Sequence, residues 1–344
     1  MASASTKAGG LAGAIKVVVP LAVGSVGYAA YRVDWRVALR NFFRGPGRNS
    51  RVMLLLFVLC SWKSMPLTWT YRVFYTIIYH NTLRKSPPQT PRHLFKPIIN
   101  TSRATLLEID YNLHKSNSTF FTDLDCARSH LVSYLCRHGL NKLAVNQQTA
   151  LVPDPVTGRP ARGPLGIMLG SVACSFKREI APFAAYELWT SIIAWDRKWL
   201  YVVTHFVPKG VARPTHWLDS RCVTLETRAS GDDTDWSSKL HASAVSKYVF
   251  KIGRLTVHPA VVLGASGLLP QRPGGWTGGE HQLGTADVGE VDFSVEGDEH
   301  WDWRRVEAQR RKGMELAGHF QALDGSHDLF DGGAGGALGK FAPG

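Results

Sequence analysis

Cysteine is scarce and unpaired in this 344-residue chain. Its five cysteines (Cys60, Cys126, Cys136, Cys174 and Cys222) form an odd, widely spaced set with no Cys-x-x-Cys pair. A disulfide scaffold and a paired-cysteine zinc module are excluded, and reduced thiols are expected. Familiar catalytic and nucleotide-binding signatures are missing too. There is no Gly-x-Ser-x-Gly elbow; the nearest text, Gly264-Ala265-Ser266-Gly267, has the wrong spacing. No P-loop, His-Glu-x-x-His or Rossmann glycine pattern occurs, and the glycines of 332–336 are low complexity. Acid is nearly absent from the first 100 residues, which hold Asp34 alone against 14 Lys and Arg. The other 244 residues hold 26 basic and 26 acidic side chains, so the net charge of +13 belongs entirely to the N-terminal region.

A nucleic-acid-binding domain carries its charge on its own folded face, so no nucleic-acid partner is expected. A basic, apolar N-terminus points to an anionic membrane surface. Residues 11–31 carry one charge, Lys16, and are long enough to span a bilayer, though rich in Gly and Ala. Arg32, Arg36, Arg40, Arg44 and Arg48 follow at a spacing of four. On a helix the first four form one stripe, with Trp35, Val37, Leu39, Phe42 and Phe43 on the other faces, as in a helix lying in a lipid interface. Gly45-Pro46-Gly47 breaks it. Residues 52–62 are a second apolar run, too short to span alone: re-entrant, interfacial or simply a buried helix. The Arg-rich flank predicts that the downstream body faces the cytosol. The sequons at Asn100 and Asn117 would matter only in the secretory lumen.

With 44% hydrophobic and 19% charged residues, the remainder can bury a core. Residues 104–111 read as a short strand. Helix signals begin at Asn117, Ser118 and Thr119, and Phe120, Leu124, Leu131 and Leu135 give an apolar stripe ending near Gly139. Asp123 and Asp125 suit the start of the helix dipole. Strand patterns follow at 166–177, 185–195 and 199–207, the last two joined at Asp196-Arg197-Lys198, and again at 242–257. One long helix and several antiparallel strands predict an α+β sheet wrapped on a helix.

The concentrated chemistry is Asp110-x-Asn112-x-His114-x-x-Asn117. In an extended segment Asp110, Asn112 and His114 share one face, just before a helix N-terminus whose backbone N–H groups suit an oxyanion. Carbonyl hydrolysis needs a base or nucleophile, a group to orient it and an oxyanion hole. An Asx-rich helix cap beside a surface histidine would use the same residues.

IDYNLHKSNSTFFTDLDCAR (109–128) resembles the signature of hot-dog acyl thioesterases, in which Asp, His and Asn precede the central helix. Plant acyl-carrier-protein thioesterases have a similar stretch. The block 171–207 resembles the following strands, and the chain is most similar to the thioesterase superfamily member 6 branch and fungal thioesterase-like proteins, over roughly residues 100 to 260. The resemblance implies a hot-dog fold and a homodimer. It further implies hydrolysis of an acyl thioester of coenzyme A or a carrier protein, in lipid or secondary-metabolite biosynthesis, without metal or cofactor. Asp110, Asn112 and His114 would be catalytic. Asn117, Ser118 and Thr119 would supply the helix N-terminus, and Arg178, Arg197 and Lys198 would meet carrier phosphates. A non-catalytic acyl-binding scaffold and a hot-dog dehydratase are the alternatives.

The expected organisation is a membrane-association region over 1–90 and a hot-dog domain over 91–265. A Gly-rich linker over 266–290, a charged helix over 291–326 and a disordered tail over 327–344 follow.

Overall fold

A computed structural model describes residues 31–222, 225–227, 235–277, 291–293 and 297–330, with isolated positions 21, 24, 25, 27 and 28. Most of the 11–31 stretch, residues 278–290 of the expected linker and the tail from 331 lie outside the described residues. Contacts divide the chain into two units, 1–62 and 63–344, so residues 63–90, which the sequence assigns to the N-terminal region, group with the body.

In the first unit Asp34 caps the helix Trp35–Arg44, its Oδ1 accepting from the N–H groups of Arg36 and Val37 at 3.0 and 3.2 Å. The single acid of the first hundred residues is thus spent on orphan donors at a helix start. Gly45 ends the helix. Arg51, from the next helix Arg48–Ser61, closes the same end by donating to the carbonyls of Asn41, Phe42 and Gly45. A cation there satisfies open carbonyls and the negative end of the dipole together. Trp35, Leu39, Phe43, Met53, Leu54, Phe57 and Leu59 are exposed. No single described helix is long and apolar enough to cross a membrane.

The second unit is built on one antiparallel sheet. Its strands are β1 (Ile98–Arg103), β2 (Leu165–Phe176), β3 (Ala185–Trp195), β4 (Leu200–Pro208), β5 (Ala242–Ile252) and β6 (Leu255–Val257). The order is β1-β3-β4-β5-β2, with β6 beside β5. The central helix Phe120–Leu135 lies against one face. Phe120, Leu124 and Ala127 form one core cluster with Tyr186 and Leu188 of β3, Phe206 of β4, Ala242 and Ala244 of β5 and the neighbouring Val172 and Cys174 of β2. Strands sit about 4.8 Å apart, so four of them reach a single helix only if the sheet curls round it. That is the hot-dog arrangement.

The other face of the sheet is covered by the helix Trp303–Ala322, whose Ala317 and Phe320 pack on Ala194 and Tyr201. A Cβ on Gly313 would fall 1.9 Å from the Ile193 carbonyl oxygen, so only glycine lets that helix lie so close to β3. With both faces covered, β4 is buried almost throughout.

Three local expectations change. The expected strand at 104–111 is β1, several residues earlier; Thr105 and Glu108 instead form a capping box around a tight turn at Leu106–Glu108. Gly139 does not end the central helix, which stops at Leu135; it lies in the next helix, Arg137–Ala144, where a Cβ would meet the Val262 carbonyl at 2.2 Å. Residues 268–277 are not a free linker, because Leu268 is fully buried and Trp276 packs on the core.

The start of the central helix is held by a buried ionic cluster. Asp123 is fully buried, and its Oδ1 accepts from Arg72 Nη2 at 2.9 Å and Ser102 Oγ at 3.2 Å. Its Oδ2 lies 3.1 Å from Lys63 Nζ and 3.2 Å from Lys115 Nζ, and accepts from the Tyr186 hydroxyl. Glu108 bridges the two lysines, at 2.8 Å from Lys63 and 3.0 Å from Lys115. Burial alone would raise the Asp123 carboxyl, but Lys63, Lys115 and Arg72 overcome this and hold it far below the ordinary carboxylate range. Burial pulls Lys63 below its ordinary value against the opposing pull of Asp123.

Removing one partner of such a cluster strands the rest. Asp123→Asn is expected to cost about 3–5 kcal/mol in urea unfolding at pH 7. A depressed carboxylate contributes fully above its unfolded pKa of about 3.9 and loses that contribution as pH falls toward its folded value. The gap between wild type and variant should therefore be constant above about pH 5 and shrink on acidification. A loss under about 1 kcal/mol at pH 7 would remove the cluster as the anchor of the helix.

Candidate active site at the start of the central helix

Asp110, Asn112 and His114 do not lie on an extended face as expected. The segment is a tight hairpin loop closed by a bridge between Ile109 and Lys115. The Asp110 N–H donates to the His114 carbonyl at 3.0 Å and the Leu113 N–H to the Asp110 carbonyl at 3.0 Å. Asp110 Oδ1 accepts the Asn112 N–H at 2.9 Å, the local bond that favours Asp at turns. Leu113 takes a φ of 61° to complete the reversal.

Folding the loop back still brings the acid and the imidazole together. His114 Nδ1 is 3.6 Å from Asp110 Oδ1, beyond hydrogen-bond length but in adjacent space. Their side chains are 25% and 22% exposed, so both are reachable. Asn112 is exposed, and only its backbone takes part in the turn.

The loop feeds a short tight turn, Asn117–Thr119, continuous with the central helix. A helix start leaves its first N–H groups open. Thr119 is not among them, because its N–H donates to the Ser116 carbonyl at 3.0 Å. Its hydroxyl donates to the same carbonyl at 2.7 Å and accepts from Lys115 Nζ at 2.9 Å, so Thr119 is a structural peg. The N–H groups of Asn117 and Ser118 are the ones left at the exposed end. Lys115 carries the rigidity of the ionic cluster into the loop, and its N–H donates to the Ile180 carbonyl at 2.9 Å.

The three basic residues expected near a carrier phosphate are not brought together. Arg178 is on the loop that meets Lys115, and its Nη1 donates to the Ser238 carbonyl at 3.1 Å. Arg197 and Lys198 lie in the turn between β3 and β4, beyond Trp195, whereas Arg103 pairs with Ala185 at the opposite end of β3. That length of strand is about 30 Å. Lys198 instead sits over the Trp199 ring at 4.4 Å.

The site has an acceptor carboxylate, a neighbouring imidazole and open donors at a helix start, on a loop pinned from below. A model of the thioesterase-like superfamily matches residues 104–241, a span that opens immediately before this loop. The chain is 38% identical over 284 residues to the thioesterase poxG of Penicillium oxalicum, a match covering 79% of this chain and 84% of that one. The chain belongs to the thioesterase-like superfamily. Other relatives are the probable thioesterase atnL of Emericella nidulans, 31% identical over 299 residues, 83% of this chain and 90% of its own. The thioesterase lcsJ of Purpureocillium lilacinum is 32% identical over 309 residues, with coverages of 79% and 90%. Among solved structures, Slr0204, a 1,4-dihydroxy-2-naphthoyl-CoA thioesterase from Synechocystis, covers 52% of this chain and 99% of its own. At 9% identity and a TM-score of 0.33, that likeness is too distant to carry any argument.

Within this thioesterase-like chain, Lys63, Arg72, Glu108 and Lys115 are the residues the sequence reading missed. Lys63, Arg72 and Lys115 converge on Asp123 from three segments and Glu108 bridges the two lysines, and nothing in their spacing marks them. Asn112 separates structure from chemistry cleanly. Because its side chain bonds nothing in the described structure, Asn112→Ala should leave unfolding free energy within about 0.5 kcal/mol of wild type. A larger loss in thermal unfolding would make its amide part of the loop's scaffold.

Proposed function

We propose that this chain hydrolyses acyl thioesters of coenzyme A or a carrier protein, as a homodimer at an anionic membrane surface. The observation that carries the reading is the reachable Asp110–His114 pair beside the open N–H groups of Asn117 and Ser118, in a chain of this superfamily. Asp110 activates a water, or itself attacks the thioester carbonyl. The developing oxyanion is met by backbone N–H groups at the helix start. Collapse breaks the carbon–sulfur bond and expels the thiolate, which takes up a proton of the attacking water. Where Asp110 attacks, water then cleaves the acyl–Asp110 anhydride and restores the carboxylate. His114 and Asn112 position Asp110 or polarise the carbonyl.

Dimerisation is supported by β2. It is the outermost strand of the order β1-β3-β4-β5-β2, twelve residues long, with Ile167, Met168 and Leu169 exposed. A long apolar edge is a template for pairing with another chain. The membrane reading is supported by the charge of the first 100 residues and by the exposed apolar side chains of Trp35–Arg44 and Arg48–Ser61. A cytosol-facing body agrees with its four free cysteines, Cys126, Cys136, Cys174 and Cys222. It also agrees with Asn100, whose Oδ1 is buried and has no hydrogen-bond partner among the described residues, a poor place for a glycan.

Asp110→Asn is the clean variant, because an amide oxygen keeps the turn's acceptor. It should lower kcat on an acyl-CoA panel by about 10²–10⁴-fold with little change in KM. Ser116 is already extended before Asn117 (ψ 135°), so Asn117→Pro removes one open N–H without disturbing the helix start. Losses within a few-fold for both would favour an acyl-binding scaffold, and turnover of β-hydroxyacyl substrates alone a dehydratase.

The full chain should float with vesicles containing phosphatidylserine and lose binding when Arg36, Arg40 and Arg44 are replaced by Glu. Light scattering should give two chains per particle. Indifference to the charge reversal, or a glycan on Asn100 or Asn117 in sealed microsomes, would overturn the membrane or cytosolic assignment.

A further inference from the structure

The helix Thr68–Ile78 of the second unit is inverted relative to an ordinary surface helix. A surface helix turns its apolar stripe to the core and its charges to water. Here Arg72 reaches inward to Asp123 at 2.9 Å, with its side chain 16% exposed, and Thr76 is buried. Trp69, Tyr71, Phe74, Tyr75, Ile77 and Ile78 are exposed instead. From Lys63 to Leu83 the chain has no Asp or Glu, and Lys63 and Arg72 are its only Lys and Arg. Both belong to the ionic cluster, so the outer face of the helix carries none of these charges.

The cluster enforces the inversion. Rolling the helix to bury its rings would take Arg72 from a fully buried carboxylate, and an uncompensated buried charge is strongly destabilising. At the helix start, Leu67 has a φ of 65° and is 80% exposed. A leucine is strained in that conformation, and the strain holds an apolar side chain in the open.

The chemistry of the face selects what covers it. Its 11 residues make a strip about 16 Å long and about 10 Å wide. A stable protein pair buries about 800 Å² on each side, far more than that strip supplies. A bilayer sets no such minimum, and the aromatic content suits its boundary. Tyr71, Tyr75 and Tyr79 form a ladder with ring centroids 5.9 and 5.8 Å apart. Trp69 stands near its start, its indole N–H donating to Asp125 Oδ2 at 3.1 Å. Tyr and Trp collect where one end of the ring meets hydrocarbon and the other meets water. Arg84, which donates to the Tyr79 hydroxyl at 3.3 Å, and Lys85 follow directly. Cations at the edge of an apolar helix face suit anionic headgroups.

The same face adjoins the candidate site. Trp69 meets Asp125, and Thr76 lies 3.3 Å from His130, so the helix runs in the direction of the central helix and begins at its site end. The Ser64 and Thr105 hydroxyls are 3.3 Å apart, which sets the exposed Leu106 and Leu107 near that start.

We propose that the outer face of Thr68–Ile78 is a lipid-facing surface of the body, lying at the headgroup boundary of an anionic bilayer. The central helix then lies along the membrane, and the candidate site opens beside it. This rests on the membrane reading above: the basic first unit captures the lipid, and this face seats the body on it.

The test places the photo-crosslinking residue benzoylphenylalanine at Phe74 in the full chain, bound to vesicles of phosphatidylcholine and phosphatidylserine. A second chain carries it at Val156, an exposed position in the loop after the helix Asn146–Thr149. Irradiation should attach phospholipid at position 74 and not at 156, read by intact mass. Phe74→Gln with Ile78→Gln should bind the same vesicles about tenfold more weakly at an unchanged thermal midpoint, because both side chains are already in the open. Flotation without a lipid adduct at position 74, or equal adducts at 74 and 156, would overturn the proposal and leave the capture of lipid by the first unit standing. A chain-to-chain crosslink at 74 in place of lipid would make the face a self-interface and overturn it too. Failure of the full chain to float would overturn the membrane reading and this proposal together.

Discussion

The charged cluster around Asp123 is the interaction on which the rest of the body depends. One carboxylate on the first turn of the central helix gathers Lys63, Arg72, Lys115 and the Tyr186 hydroxyl, with Glu108 closing the set. Each partner belongs to a different piece of the chain: the entry to the body, the helix Thr68–Ile78, the hairpin loop and β3. Burying these charges separately would cost several kcal/mol each. Together they fix the entering chain, the loop and the sheet at one point. The apolar contacts of Phe120 and Leu124 then pack around a helix whose position is already specified.

The candidate site inherits its order from that cluster. The 109–115 hairpin has little apolar burial of its own, and Tyr111 and Leu113 are largely exposed. Its stiffness comes from the Asx turn below Asp110 and from Lys115, which reaches from the hairpin into the ionic centre. The Asp110 carboxylate is therefore held near solvent by a buried neighbour five residues on. The helix adds open N–H groups at the same end, because its first donors have no carbonyl behind them.

The two units divide their physics. The first carries much of the chain's excess charge and leaves most of its described large apolar side chains exposed, with internal order from the Asp34 cap and the Arg51 clamp. The second closes a layered core, with the sheet between the central helix and Trp303–Ala322. Its polar interior is not confined to Asp123. The Thr76–His130–His80 chain ties the helix Thr68–Ile78 and the turn after it to His130 of the central helix.

The sequence by itself determined the elements whose signal is local. Alternation in 185–195 and the period of Phe120, Leu124, Leu131 and Leu135 mark β3 and the central helix because side-chain periodicity is a property of neighbours along one chain. The Asp110–His114 motif and the charge asymmetry are legible for the same reason. Only the tertiary structure decided what brings distant segments together. The extended reading of 110–114 yields to a hairpin because Asp110 bonds its own backbone and Lys115 is drawn inward by Glu108 and Asp123. Arg178 parts from Arg197 and Lys198 because a full strand lies between their turns. Lys63 and Arg72 read as members of a basic N-terminal region, and they are core residues because their counter-charge lies fifty residues or more away, on a helix the sheet must first enclose.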